Sequence, residues 1–209
     1  MNKSKEITIT PLIDYFASLE TLNIPEKKIL EQHLKILRLN KGHYFLEAES
    51  KCQSIGYVIK GVLRLFDYTI DGEEVSHCFI KEEGFVTDTK SFYEQTPSTQ
   101  YIIAETPCVL VTFDVKAYRI FEEKITAWQS IMRKATEQSL HKKVLEKSYI
   151  ISENATTRYL NFLKQHPDIA DRVSLKQVAN YLGMTKYSLS RIRKEIAKKD
   201  LLPNGNFEA

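Results

Sequence analysis

The chain has 209 residues, of which 43% are hydrophobic and 11% aromatic, and its net charge is only +3. This composition supports folded cores and excludes a disordered chain. The opening residues lack the apolar core of a secretion signal, and no apolar run is long enough to span a bilayer. We therefore expect a cytoplasmic protein of one large or two small domains, with no membrane partner.

Helical spacing of apolar residues runs from Pro11 to Leu37 and is interrupted at Pro25. Leu12, Phe16 and Leu19 recur before the proline, and the pattern continues after it through Leu34 and Leu37. We predict two helices that pack on a larger body.

From about Leu39 to Phe113 the sequence changes to short β-rich runs punctuated by glycine. The run YVIKGVLRLFDY and the run EEVSHCFI flank Asp71-Gly72, a dipeptide typical of a tight hairpin turn. Many short strands at this spacing favour an antiparallel sandwich or jelly roll.

Asp114 is placed to cap a helix, and residues 127–148 form a long helix candidate. Broadly heptad-like spacing makes it a candidate dimerisation helix, although Gln138 and Lys142 interrupt its apolar seam. An internal core helix remains the alternative. The seam consists of Trp128, Ile131, Ala135, Leu145 and Tyr149.

A further helix from Asn154 to Gln165 should end at His166-Pro167. The following segment, residues 174–194, predicts two short helices joined by a tight turn. Ser174 is expected to cap the first helix in a capping box with Gln177. Gly183 stands where a left-handed residue ends that helix, and Thr185 is placed to cap the second.

The second helix has a buried stripe, Leu189, Ile192 and Ile196, opposite a basic outer face. A helix fits the major groove of DNA, where Arg191 is our candidate for a bidentate bond to guanine. The predicted DNA-binding residues are Ser174, Thr185, Lys186, Tyr187, Ser190, Arg191 and Lys194.

Charge is segregated along the chain. Residues 1–115 carry 12 basic and 17 acidic side chains, whereas residues 116–209 carry 18 and 10. Between Arg172 and Lys199 there are eight lysines or arginines and one acid. This pattern favours nucleic acid as the partner. A helical hairpin with a merely solvated charged surface is the plainer alternative, and a membrane surface would also attract this charge.

Three cysteines, Cys52, Cys78 and Cys108, are widely spaced, which predicts free thiols without a disulfide framework or zinc motif. A cupin-like enzyme would need two histidines and a carboxylate close together. No such spacing exists, so we expect no catalytic residues, no metal and no cofactor; haem would find no paired histidines. The histidines are His33, His43, His77, His141 and His166.

The order of a glycine-punctuated roll, a long helix and a helix-turn-helix resembles the Crp/Fnr family of bacterial transcription regulators. The motifs that carry the resemblance are YVIKGVLRL, DGEE, FVTD, RYLNFLKQHPDI and VSLKQVANYLGMTKYSLSRIRKEI. The resemblance implies an α+β fold: a sensor domain at residues 1–150 that includes the dimerisation helix (about 115–150), and a DNA-binding domain at residues 151–209. It also implies a homodimer on a palindromic operator of double-stranded DNA, with RNA polymerase as a partner.

The sequence departs from the family where cyclic-nucleotide-binding members hold the ribose and the phosphate. The matching positions are Thr87-Asp88 and Ser98-Thr99, and no lysine or arginine lies between Lys90 and Lys116. A buried phosphate without a cation is costly, so we expect an effector other than a cyclic nucleotide, or none. The candidate effector pocket is Thr87, Asp88, Ser98, Thr99 and Tyr101. Aromatic side chains such as Phe85, Phe92 and Tyr101 are the alternative filling of the roll.

The cysteine cluster of the iron–sulfur branch is also missing. After Lys199 only DLLPNGNFEA remains, which predicts a reduced or absent wing. A protein-interaction module that uses the same helical hairpin is a further alternative to DNA binding.

Overall fold

A computed structural model describes residues 7–200, with the backbone alone described at 146–152 and 199–200. It opens with two helices, α1 (Thr10–Leu19) and α2 (Ile24–His33). Asn23 caps α2 in a capping box with Glu26, because each side chain accepts a hydrogen bond from the other's amide, at 2.8 and 3.0 Å.

The strands follow at once. In chain order they are β1 (Lys35–Leu39), β2 (Tyr44–Leu46), β3 (Ser54–Lys60), β4 (Leu63–Tyr68), β5 (Glu74–Ile80), β6 (Phe85–Val86), β7 (Tyr101–Ala104) and β8 (Cys108–Asp114), with the short helix α3 (Thr89–Glu94) between β6 and β7. Leu37 therefore lies in a strand. The prediction that it continued the second helix was wrong, because the chain leaves α2 at Leu34 in extended conformation and pairs with β8.

These strands form two four-stranded antiparallel sheets, in the orders β1-β8-β3-β6 and β2-β7-β4-β5. The predicted antiparallel roll is confirmed. Its β4–β5 hairpin turns through Asp71-Gly72, with Gly72 at a φ of +79°. Strand β5 is the last strand of its sheet, so one side of its backbone is left to find other partners.

The remaining regular elements of the described chain are helices. They are α4 (Val115–Lys124), α5 (Trp128–Ser152), α6 (Ala155–Gln165), α7 (Ile169–Arg172), α8 (Leu175–Tyr181) and α9 (Lys186–Asp200). Asp114 caps α4 as predicted, accepting from the Ala117 amide at 2.9 Å. Within residues 7–200, no helix combines the length and the apolar character needed to cross a membrane.

Two hydrophobic cores hold these elements. The larger core fills the roll and includes residues of α1, α4 and the start of α5. The smaller core is formed by α6 to α9, and two roll residues, Val62 and Phe79, belong to it. The helical C-terminal part therefore shares a core with the outside of the roll.

Candidate nucleic-acid interface and effector cavity

Helix α8 begins and ends at the residues that the sequence indicates. Ser174 Oγ accepts a hydrogen bond from the Gln177 amide at 3.3 Å. At the other end the Met184 amide donates to the Ala179 carbonyl at 3.0 Å, and Gly183 has a φ of +64°. Together these features form a Schellman motif, which needs a left-handed residue where Gly183 stands.

The reciprocal half of the predicted capping box is not formed. Gln177 Oε1 is buried and accepts no hydrogen bond from any described residue. The prediction that Gln177 reaches back to the Ser174 amide was wrong, because its side-chain oxygen is buried without a hydrogen bond to that amide.

Helix α9 is held with one side inward. Thr185 Oγ1 accepts from the Ser188 amide at 3.1 Å and caps the helix. Leu189 and Ile192 are buried in the smaller core together with Val178 and Leu182 of the neighbouring helix. The rotation of α9 about its own axis is thereby fixed.

The outer face of α9 points to solvent. Of the predicted DNA-binding residues, Ser190 is half-buried. The exposed ones are Ser174, Thr185, Lys186, Tyr187, Arg191 and Lys194. Arg191 Nε lies 3.6 Å from Glu195 Oε1, but both side chains are exposed. Such a pair contributes little and leaves the guanidinium available to another acceptor.

Helix α8 covers the open side of strand β5. Asn180 Oδ1 accepts from the Ser76 amide at 2.6 Å, and Asn180 Nδ2 donates to the Glu74 carbonyl at 2.6 Å. One side-chain amide thus satisfies two backbone groups of β5 that a neighbouring strand would otherwise pair.

Ion pairs also join the roll to the C-terminal helices. Arg172 donates to Glu82 through both terminal nitrogens, at 2.7 and 2.9 Å, and Lys81 Nζ lies 2.6 Å from Asp168 Oδ1. Arg172 also reaches Asp168 at 3.3 Å. We call these four residues the clasp.

The clasp lowers the pKa of both of its carboxyl groups. Burial would raise the pKa of Glu82, but hydrogen bonds from Arg172 and from the Gly61 amide bring it below its ordinary value. The hydrogen bond from Lys81 lowers the pKa of Asp168.

Beside the clasp, the Phe79 ring lies 5.3 Å from that of Tyr181, centroid to centroid. The contact between the roll and the helix-turn-helix is therefore both apolar and ionic.

The predicted effector-pocket residues are largely used by the roll itself. Asp88 caps α3, its Oδ1 accepting from the Ser91 amide at 3.1 Å. Buried Ser98 donates to Asp88 Oδ2 at 2.6 Å. Thr99 is exposed, and the Tyr101 ring stacks on Phe66 at 5.2 Å. Internal contacts therefore engage the Ser98 hydroxyl and the Tyr101 ring.

Two adjoining open cavities lie beside this segment and share three lining residues, Thr87, Thr89 and Lys143; we call them the larger and the smaller lobe. The larger lobe, about 350 Å³, is also lined by Leu65, His77, Cys78, Asp88, Lys90, Gln100 and Tyr181. The smaller lobe, about 170 Å³, is also lined by Ile55, Phe85, Tyr93, Met132, Ala135, Thr136, Ser139 and Leu140. Aromatic filling is partial, because Phe92 is buried in the core while Phe85 borders open space.

Sequence reasoning missed Lys143, which lies on α5, more than fifty residues beyond Asp88 in the chain. The neighbouring Lys142 indicates a solvated face of the helix, and the Lys143 side chain is indeed exposed although it lines both lobes. Only the packing of α5 along the roll brings it to both lobes.

The predicted dimer seam divides in two. Trp128, Ile131 and Ala135 are buried in the chain's own larger core or at its edge, at 0, 0 and 4% exposure. These three side chains pack within the chain itself, so this part of α5 leans on the roll. Leu145 is exposed, and the Tyr149 side chain lies outside the described residues. Further exposed apolar side chains on α5 are Leu140 and Val144.

The predicted reduction of the wing concerns residues 201–209, which lie outside the described part of the chain.

A roll, a long helix and a helix-turn-helix in that order give the chain a Crp/Fnr-like fold. Residues 36–123 match the family model of the cyclic nucleotide-binding domain, which spans β1 to α4. No curated protein sequence matches the chain. Many solved structures, by contrast, match it.

Three solved structures share nearly the whole fold. The c-di-GMP responsive global regulator CLP of Xanthomonas campestris has a TM-score of 0.68 at 16% identity, covering 88% of this chain and 96% of its own. A protein described as a Crp/Fnr-family transcriptional regulator of Eubacterium rectale has a TM-score of 0.69 at 17% identity, covering 92% and 91%. FixK2 of Bradyrhizobium japonicum has a TM-score of 0.69 at 14% identity, covering 84% and 89%. The resemblance to the Crp/Fnr family is confirmed in fold.

Proposed function

We propose that the protein is a sequence-specific, DNA-binding transcription regulator of the Crp/Fnr type. The observation that carries the proposal is helix α9, whose inner side is anchored by Leu189 and Ile192 while its outer side presents Lys186, Arg191 and Lys194 to solvent. A helix held in this way offers guanidinium and ammonium donors to base edges and phosphates.

Two copies would be needed. Successive major grooves on one face of DNA are ~34 Å apart, and a two-fold dimer places two recognition helices at that spacing. The exposed leucine and valine of α5, Leu140 and Val144, are the surface that we assign to this contact. We propose a palindromic operator and a sensor unit that ends near residue 150. RNA polymerase is the partner through which such a regulator acts.

The roll is proposed to respond to a ligand other than a cyclic nucleotide, or to none. Cyclic-nucleotide-binding members hold the phosphate with an arginine, yet at the matching positions Ser98 donates to Asp88. The cation of this segment, Lys90 on α3, lacks the paired donors of a guanidinium. Calorimetric titration with cyclic AMP and cyclic GMP should give no heat at millimolar ligand. Micromolar binding that disappears in Ser98→Ala would contradict this part.

The DNA proposal is tested by selecting preferred sites from a random duplex library and then measuring affinity. Arg191→Ala should lose about 1–3 kcal/mol on the preferred site and relax one base position. Arg119→Ala, a matched loss of an exposed arginine on α4, should bind as the original protein does.

Two results would contradict the proposal. An Arg191→Ala protein that still discriminates every base position removes the assigned contact. Binding that does not weaken as salt rises would favour a protein-interaction module instead, since phosphate contacts release counterions.

A further inference from the structure

We infer that the two-lobed cavity is a binding site for an amphipathic organic monoanion, with its apolar body in the smaller lobe and its anionic group at Lys143. The inference deepens the proposed function, because it names the effector class. It rests on that proposal only where the bound molecule is taken to regulate DNA binding.

The smaller lobe selects an apolar body. Ile55 and Phe85 of the roll face Met132 and Leu140 of α5 across it. Its polar lining consists of hydroxyl groups, from residues such as Tyr93, Thr136 and Ser139. Hydroxyls tolerate an apolar or weakly polar guest. Among the described residues that line this lobe, Lys143 alone carries a charge.

The charge lies where the lobes meet. Lys143 lines both of them, and Lys90 lines the larger one. Within residues 7–145 and 153–198, neither lysine forms an ion pair. An anion at this junction gains a charge-assisted hydrogen bond without displacing an existing partner among these residues.

Among the described lining residues Asp88 is the one carboxylate, and it does not oppose that anion strongly. Asp88 accepts from the Ser91 amide through Oδ1 and from the Ser98 hydroxyl through Oδ2. These two donors already compensate much of its charge. Thr87 and Thr89 line both lobes together with Lys143 and add hydroxyl groups at the junction.

Lys143, the cation shared by both lobes, comes from α5, whereas the roll segment contributes Lys90 to the larger lobe alone. The anionic group is therefore expected at the junction of the lobes. In this way the roll can hold an anion although it lacks the arginine that binds the phosphate in cyclic-nucleotide-binding members. Tyr181 of α8 lines the larger lobe, so a bound molecule at this junction lies beside the helix-turn-helix as well as the roll.

The test uses two fluorescent probes with one ring system. They are 8-anilinonaphthalene-1-sulfonate, an anion, and N-phenyl-1-naphthylamine, which lacks the sulfonate. The full-length protein should bind the anion at one molecule per chain, and Lys143→Met should weaken this at least ~10-fold while the neutral probe binds as before. Lys142→Met, the adjacent lysine, should bind both probes as the original protein does.

A second variant locates the site. Ser139→Phe puts a ring into the smaller lobe and should weaken both probes together, while circular dichroism and the melting temperature show that the variant is folded. Equal anion binding in Lys143→Met and the original protein, or unchanged binding in Ser139→Phe, would overturn the inference. The DNA measurements on Arg191→Ala need no ligand, so failure here is distinguishable from failure of the proposed function.

Discussion

Gly61 lies between β3 and β4, where the chain has no room for a side chain. Its φ is +110°, and a Cβ atom there would meet the Cys108 side chain and approach the Pro107 carbonyl oxygen to 2.7 Å. Both obstacles are hard to move, because the carbonyl belongs to the backbone and Cys108 is buried. The glycine in YVIKGVLRL is therefore required by packing as well as by conformation.

Gly61→Ala should lower the free energy of unfolding by about 2–4 kcal/mol, since backbone strain and overpacking add. Gly72→Ala is the matched control: its φ is +79° but nothing lies within 4 Å of the position that a methyl group would take, so only about 1 kcal/mol of strain is expected. Chemical denaturation measures both. Equal losses would show that the Cys108 contact is unimportant.

His166 is buried between the roll and the C-terminal helices, with an exposure of 6%. Burial, and then repulsion from Lys81 and Lys142, lower its pKa to about 4, although Asp168 acts in the opposite direction. The folded protein therefore keeps this imidazole neutral at pH values where the unfolded chain protonates it.

This lowered pKa predicts a loss of stability in mild acid. Above about pH 6.5 the imidazole is neutral in both states, and below it the unfolded chain alone takes up the proton. Between pH 6.5 and about 4 the free energy of unfolding should fall by about 2–3 kcal/mol through this group. Denaturation of His166→Gln should show a flatter pH dependence, whereas His43→Gln, at an exposed site, should not. Identical slopes in all three proteins would remove the assignment.

Strand β5 and helix α8 stabilise each other. Asn180 satisfies the backbone of β5 at Ser76 and Glu74, and the clasp and Phe79 hold α8 and α7 close to it. Without this helix the edge strand would present unpaired amides to water or to another chain.

Asn180→Ala should therefore speed hydrogen exchange at the Ser76 amide and lower stability by about 1–2 kcal/mol, because a buried donor loses its acceptor. Lys176→Ala, on the exposed face of the same helix, should change neither quantity. Unchanged protection of Ser76 in Asn180→Ala would mean that the contact does not persist in solution.

Sequence patterns predicted those elements whose signals are local. Caps at Ser174 and Asp114, the turn at Gly183 and the Asp71-Gly72 hairpin each depend on residues a few positions apart. The contacts that hold α8 on β5 join residues more than one hundred positions apart, such as Asn180 and Ser76. Neither periodicity nor spacing encodes them, because each side chain is ordinary in its own segment.

The long helix α5 shows the same limit. Its heptad-like spacing predicted one apolar seam, but packing on the roll consumes Trp128, Ile131 and Ala135. Periodic apolar residues indicate that one face of a helix is buried. They do not indicate whether that face packs on the same chain or on a second copy. The position of Lys143 at the cavity likewise depends on the docking of α5 and was not predictable from its neighbours.

The packing of the helix-turn-helix on the roll leaves the outer face of α9 open. The helix-turn-helix docks on the roll through α8, while Tyr187 on α9 remains 79% exposed. The intrachain contact thus sets the orientation of α9 without covering the residues proposed to reach DNA. Two such helices can reach successive major grooves only if two copies of the chain are joined.

The joining surface is expected at the exposed apolar residues of α5. Leu140 and Val144 lie one helical turn apart and are 60 and 59% exposed, and burying each in a dimer would contribute about 1.5–3 kcal/mol. The double variant Leu140→Glu, Val144→Glu should therefore weaken the dimer at least ~100-fold in analytical ultracentrifugation, since it also places charges in the contact. Ile70→Glu is the matched control, because Ile70 is a fully exposed apolar residue at the hairpin and should leave the dimer intact. A protein that is monomeric at micromolar concentration before any substitution, and that protects a single half-site on DNA, would contradict the dimer.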